Sequence, residues 1–315
     1  MEAGQLGWLA RIPSNRPNLP DMSSPLMRFP WPALPGTATP PVWNGSEFVV
    51  GGKAQRVVPY HDNSSAWSAE LTELHEQEAG DGWHPIDVAS RRLALSTLSR
   101  LKSDAIVLDV GCSSGWFLRD MKAETTLQPV GADYIAEPLS GLAKRLPGVP
   151  LLQFDLRECP LPTASVDAVV ALNVLEHIDD DERALGHMAR ILKPGGLAHI
   201  EVPSCPGCYD VYDEHLMHHR RYRMSELLAK VKRAGLRTVR TTHLGFLPFP
   251  AFWLTKRKYK KGSLSTDQIK ARVAAQIRST SHSGLLRVVL AIDEFLAARL
   301  PLPFGIRCVV VAERV

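Results

Sequence analysis

The sequence has little of what would put it in a special class. Its five cysteines are an odd number scattered along the chain, so no disulfide framework is expected and a reducing cytoplasm is the natural setting. The excess of positive charge is only +4, too small by itself to point to nucleic acid. No run approaches the ~20 apolar residues of a spanning helix. The longest candidate, 244–254, is broken by Pro248 and Pro250. Met1-Glu2 leads into no basic run followed by an apolar core, so no secretory leader is expected. Internal repeats are absent. What remains, 45% hydrophobic and 22% charged over 315 residues, is the composition of an ordinary globular chain with one large domain or two small ones.

Residues 1–42 are rich in Pro, Ser and Asn without periodicity and read as a mobile tail. Segments 47–50 and 54–58 flank Gly51-Gly52, a dipeptide suited to a tight hairpin turn. Helices are expected at 68–79 and 85–101, the second opening on Pro85, so 43–103 reads as a hairpin and helical cap. From Ala105 short apolar runs alternate with helical segments, the pattern of βαβ units and hence of an α/β fold with a parallel sheet. Strands are expected at 105–110, 129–133, 151–154, 168–172, 198–202 and near 237–243. The intervening helix at 180–192 is stopped by Lys193-Pro194-Gly195-Gly196, and a helix at 225–234 by Gly235. A seventh strand, 306–312, lies far downstream. Residues 246–304 are therefore an insertion in a core formed by 104–245 and 305–315. Within it Leu285, Val289, Ile292 and Leu296 step at helical spacing.

The chemistry-bearing signal is Val107-Leu108-Asp109-Val110-Gly111-Cys112-Ser113-Ser114-Gly115. A buried strand running through a glycine turn into a helix lets backbone approach a nucleotide-like ligand and offers it free N–H groups. The Gly-x-x-x-Gly spacing is not the Gly-x-Gly-x-x-Gly of a dinucleotide binder, which argues against a dehydrogenase. Asp133 ends the next strand, where a carboxylate can accept two ribose hydroxyls, and Asp155 ends the third at the same edge of the sheet.

In order and spacing these residues resemble the class I S-adenosylmethionine-dependent methyltransferases, near the Methyltransf_11/Methyltransf_23 group. Asp109 to Gly115 resembles the family's first motif, with Ser113 standing where glycine is frequent. Asp133 resembles the ribose-binding acid, and Asp155-Leu156 the pair facing the adenine. Asn173-Val174-Leu175-Glu176-His177-Ile178 resembles the segment after the fourth strand. The resemblance implies a Rossmann-like, seven-stranded, mostly parallel sheet with an antiparallel last strand and helices on both faces. It implies S-adenosyl-L-methionine as cofactor, held by Asp109, Gly111, Cys112, Ser113, Gly115, Asp133, Tyr134, Asp155, Leu156, Asn173 and Glu176.

The cofactor carries the hard chemistry, so the protein must position the acceptor and take its proton. His177 follows the fourth strand at the cofactor edge and is one candidate base. In lipophilic-quinone O-methyltransferases of this fold a similar Glu-His pair sits beside the substrate, sometimes with a metal. Here Asn173 stands where those enzymes often have a further acid, and no metal is assigned. His215, His218 and His219, in the run Asp213 to Arg223, are further candidates, and the arginines there could grip an anionic group. Cys205-Pro206-Gly207-Cys208 reads as a plain loop in preference to a zinc site.

The apolar and aromatic stretch 244–254 runs into Lys256-Arg257-Lys258-Tyr259-Lys260-Lys261. It suits a pocket lid with a solvated basic edge, or weak contact of 244–261 with a membrane surface or a lipid-linked acceptor. The expected activity is methylation, most often on oxygen, of a small-molecule or lipid- or glycan-linked acceptor. The expected location is cytoplasmic or peripheral to the inner membrane face. Nucleic acid is not expected as a partner, because no Asn/Asp-Pro-Pro-aromatic signature follows the fourth strand. A nucleic-acid or protein methyltransferase and a non-catalytic protein that kept the fold are the competing readings.

Overall fold

A computed structural model of the chain describes residues 24–61, 82, 84–259 and 283–315. The helix expected at 68–79 and the first part of the expected tail lie outside the described residues.

Aliphatic and β-branched runs such as Ile106–Val110 and Val166–Leu172 are buried along almost their whole length, as strands covered on both faces must be. They form the middle of an eight-stranded sheet. Its strands are β4 (Val57–Pro59), β5 (Ile106–Val110), β6 (Gln128–Asp133), β7 (Leu151–Gln153), β8 (Val166–Leu172), β9 (Leu192–Pro203), β10 (Leu236–Leu244) and β11 (Arg307–Arg314). The order is β10-β11-β9-β8-β5-β6-β7-β4. β5 pairs in parallel with β6 and β8, with Asp109 opposite both Gly131 and Val170. β11 is antiparallel to β9 and β10, between which it lies. The seven-stranded, mostly parallel sheet with an antiparallel last strand is therefore present, and β4 adds an eighth strand at its edge.

That eighth strand departs from the expected hairpin. Gly51-Gly52 does turn β2 (Phe48–Val50) back onto β3 (Lys53–Gln55), while β1 (Val42–Trp43) pairs with β2. Val57 and Val58 leave the hairpin and pair in parallel with Leu151 and Leu152. Ser24 onward also differs from the expectation of a mobile tail. Leu26, Phe29 and Trp31 are buried with Trp43 and Phe48, and the Tyr60 hydroxyl donates to the Pro32 carbonyl at 2.9 Å. A few large aromatics anchor a segment that has no periodicity to reveal it.

The described helices are α1 (Pro85–Leu98), α2 (Trp116–Glu124), α3 (Ala136–Arg145), α4 (Asp181–Ile191), α5 (Val211–His215), α6 (Met224–Arg233), α7 (Phe249–Tyr259) and α8 (Gly284–Ala297). α4 and α6 bury Leu185, Met188, Leu227 and Val231 in one large core with Val169, Ile200 and Val310. α1 and α2 bury Leu98, Phe117 and Met121 against Val107 and Val170 on a second core. α8 lies on α1, its Leu290 and Ala297 packed with Ile86, Leu93 and Val309. Pro85 starts α1 as anticipated, and α4 ends at Ile191 before the Lys193-Pro194-Gly195-Gly196 stretch, which β9 includes.

Candidate active site

The parallel strands all end on one edge of the sheet, and that edge gathers the polar residues. Val110 leaves β5 into Gly111 at φ +67°, and Gly115 at φ +77° begins α2. Gly111 has no room for a side chain, since a Cβ there would stand 2.6 Å from a Val174 methyl. Ser113 is also left-handed, at φ +43°, the conformation that suits the glycine frequent at this place. The Ser113 amide donates to Asp133 Oδ2 at 2.9 Å and the Ile135 amide to Oδ1 at 3.0 Å. α2 begins without a side-chain cap, leaving first-turn N–H groups to a ligand.

A cavity of about 570 Å³ opens over this turn. The turn side contributes Asp109, Gly111, Cys112, Ser113 and Ser114; Asn173, Glu176 and His177 come from the segment after β8. A second cavity, of about 440 Å³, is lined by Tyr134, Asp155 and Arg157 among others. Asp133 joins the two, because it is bonded to Ser113 of the first and precedes Tyr134 of the second. Burial, and then the neighbouring Asp133, push the Asp109 carboxyl well above the usual carboxylate range. Burial likewise raises Asp133. Asp155 is held differently. Burial opposes its ionisation, but a bidentate grip by Arg157 (2.6 Å at the shortest) outweighs this and lowers its pKa. Arg157 also reaches Asp179 at 2.6 Å, while Leu156 is buried.

The opposite side of the cavity is built from the loop after β9 and from residues of the 246–304 segment. Asp213 is fully buried and is the centre of a network. Its carboxylate accepts from His218 Nδ1 at 2.9 Å and from Arg221 Nε at 2.8 Å, and Lys256 Nζ lies at 3.6 Å. Lys256 also donates to Asp210 at 2.6 Å, which ties α7 to the start of α5. Burial disfavours the Asp213 carboxylate, yet His218, Arg221 and Lys256 together hold its pKa far below the usual range. The Nδ1–H of His218 is thereby committed to Asp213, and Nε2 remains as the nitrogen able to accept a proton.

Glu176 presents the opposite case. It is fully buried, and neither carboxylate oxygen has a hydrogen-bond partner in another described residue. Burial raises its pKa to about 8, so the acid is mostly neutral at pH 7. His177 and His218 meet edge to face with ring centroids 4.7 Å apart. The donor atoms of Glu176, His177 and His218 all lie within 4.8 Å of one another. That limit is looser than the roughly 3.4 Å between ligands bound tetrahedrally to one ion at about 2.1 Å. Beneath them Arg307 of β11 donates to Ser90 at 2.6 Å, to Glu201 at 2.8 Å and to Asp87 at 2.5 Å. Asn173 reaches Glu201 at 3.4 Å.

Of the candidate bases, His177 and His218 line the cavity. His219 is exposed, and its amide donates to the Glu176 carbonyl at 2.7 Å. The His215 side chain lies outside the described ones. Cys205 and Cys208 form a disulfide closing the short 3₁₀ turn Pro206–Cys208, where a plain loop was expected. Sequence reasoning missed Asp87, Ser90, Glu201 and Arg307. The four come from three segments far apart in the chain, and no local motif marks them.

Several known proteins are similar to this chain. The family model described as a methyltransferase domain, Methyltransf_11, matches residues 108–200. A probable S-adenosylmethionine-dependent methyltransferase of Mycobacterium tuberculosis (strain CDC 1551 / Oshkosh) is 37% identical over 98 residues, covering 31% of this chain and 35% of that protein. The trans-aconitate 2-methyltransferase of Azoarcus sp. (strain BH72) is 34% identical over 115 residues, 36% of this chain and 45% of that protein. The chain thus spans less than half the length of these curated relatives. Among solved structures, Haemonchus contortus phosphoethanolamine N-methyltransferase 2 in complex with S-adenosyl-L-methionine superposes with TM-score 0.55 at 17% identity. The match covers 80% of this chain and 58% of that one. Residues 108–200 thus match a methyltransferase domain, and the sheet that carries them has the Rossmann-like fold of the superposed structure.

Proposed function

We propose that the chain transfers a methyl group from S-adenosyl-L-methionine to an oxygen of a small-molecule or lipid- or glycan-linked acceptor, with His218 as the base. The observation that carries this reading is a single cavity lined on one side by the glycine turn and on the other by His218 held on Asp213.

The residues present fit the cofactor. Gly111 leaves bare backbone where a Cβ would collide, and uncapped N–H groups of α2 face the same turn. Asp133 Oδ2 accepts the Ser113 amide and Oδ1 the Ile135 amide, and its carboxylate retains acceptor capacity for a ribose hydroxyl. Asp155 and Tyr134 at the second cavity would hold the adenine end. When bound, the cofactor supplies a methyl made electrophilic by its sulfonium.

The protein's share is position and the proton. Asn173, Glu176 and His177 line the side of the cavity next to the turn, and a protonated Glu176 can donate to an acceptor oxygen. The acceptor hydroxyl loses its proton to His218 Nε2 as the new oxygen–carbon bond forms. The resulting imidazolium is stabilised by the Asp213 carboxylate. Pro248, Ala251, Phe252 and Thr255 of the insertion, with Leu286 and Leu290 of α8, roof the cavity and exclude water. The insertion thus serves as a lid over the acceptor.

Two measurements test the reading. Thermal melting with S-adenosylmethionine or S-adenosylhomocysteine should show stabilisation that rises with ligand concentration. Transfer of labelled methyl to a hydroxyl-bearing acceptor should fail with His218→Gln while that stabilisation persists. Absence of stabilisation by either ligand overturns the cofactor assignment, and full transfer by the variant overturns the base.

A further inference from the structure

The outward face of α8 exposes more large apolar side chains than any other described element. Leu285, Val288, Ile292 and Phe295 step by three, four and three, so they form one stripe. They are 77%, 58%, 50% and 55% exposed. The opposite face of the same helix is occupied, since Leu286 and Leu290 line the large cavity and Asp293 is buried on the Gly245 and Leu247 amides. α7 repeats the arrangement. Phe252 and Thr255 line the cavity, while Trp253 and Leu254 are exposed. Exposed apolar side chains concentrated on one element mark an interaction surface.

Charge says what kind of surface. Arg299 continues the α8 stripe and stacks its guanidinium 3.6 Å from the Phe295 ring centroid. Arg257 stacks over Trp253 at 4.4 Å, and both arginines are exposed. Both acids of α8 point elsewhere, Asp293 inward and Glu294 toward Arg92 at 3.9 Å. The stripe therefore carries apolar and aromatic side chains topped by cations, and no acid among the described residues. A protein partner would be expected to meet mixed charge, whereas an anionic bilayer matches aromatic belts, aliphatic wedges and arginines together.

The geometry points to α8 and α7 as a peripheral docking face for an anionic lipid bilayer, laid so that the helices roofing the acceptor cavity are those touching the lipid. The face goes beyond the methyl-transfer reading and stands without it. An apolar acceptor dissolved in that bilayer would enter beneath the same two helices.

Co-flotation of the full chain with vesicles tests the inference. The chain should float with phosphatidylcholine vesicles containing about 30% phosphatidylglycerol, and its binding should weaken as salt is raised. Pure phosphatidylcholine should bind it far less. Ile292→Glu with Phe295→Glu should abolish flotation without lowering the melting temperature, because both side chains are exposed. Arg257→Gln and Arg299→Gln should each weaken binding to the anionic vesicles by about fivefold. A wild-type chain that stays at the bottom of the gradient at low salt overturns the inference. So does a double-glutamate variant that floats as well as wild type, one that melts early because the stripe is covered by another segment of the chain, or one whose only effect is to split a dimer. Stabilisation by S-adenosylmethionine should be the same in all variants, which separates this test from that of the cofactor.

Discussion

Asp213 and Glu176 are both fully buried acids beside one cavity, yet their surroundings are opposite. Asp213 has gathered a histidine, an arginine and a lysine around its carboxylate. Neither Glu176 oxygen has a hydrogen-bond partner in another described residue. The first is ionised well below the ordinary range; burial raises the second to about 8. The protein thereby places a fixed negative charge behind His218 and a neutral proton donor beside it. Neither side chain reaches solvent, and the partners decide the charge state.

Removing the charge from the saturated side should have the largest effect. Asp213→Asn leaves Arg221 and Lys256 facing a neutral amide in the interior, so stability should fall by about 3–5 kcal/mol in chemical denaturation. The same substitution would also release His218 from its orientation, and turnover should be lost with it. His218→Gln should cost on the order of 10²–10⁴ in kcat, measured by labelled-methyl transfer, with binding of S-adenosylmethionine unchanged. Glu176→Gln should be the mildest, shifting stability by about 1 kcal/mol or less at pH 7 because the acid is already protonated there.

The same pair can be separated by pH. The folded pKa of Glu176 is raised from 4.5 to about 8, so its contribution to stability is full below 4.5 and is lost as pH rises toward 8. Asp213 has a lowered folded pKa, so its contribution is present above 3.8 and disappears as pH falls below it. Melting temperatures between pH 5 and 9 should therefore decline in the wild type and decline less in Glu176→Gln. Equal slopes in the two proteins would remove the neutral-acid assignment.

The cofactor side was largely legible in the sequence because its information is local. Buried strands read as apolar runs, and each site residue there lies at the end of a strand or in the turn after it. Gly111 and Gly115 revealed themselves through a backbone that only they fit easily. Ser113 shows the limit, since a serine in a left-handed position cannot be recognised from its letter alone. The acceptor side was legible only in part. The run from Asp213 to Arg223 stood out as histidine-rich, but nothing in its order distinguished His218, locked on Asp213, from the exposed His219. The floor of Asp87, Ser90, Glu201 and Arg307 was invisible, because it is assembled from α1, β9 and β11. Val57 and Val58 were placed in a hairpin since period-two alternation does not name the partner strand.

β11 lies inside the sheet, although it follows β10 by more than sixty residues. On a growing polypeptide β10 emerges with no strand to pair with, and its register is set only when residues 307–314 slide between it and β9. Arg307 travels on that wedge. One strand thus completes both the sheet and the cavity floor, since β11 joins β10 to β9 and carries Arg307 to Glu201.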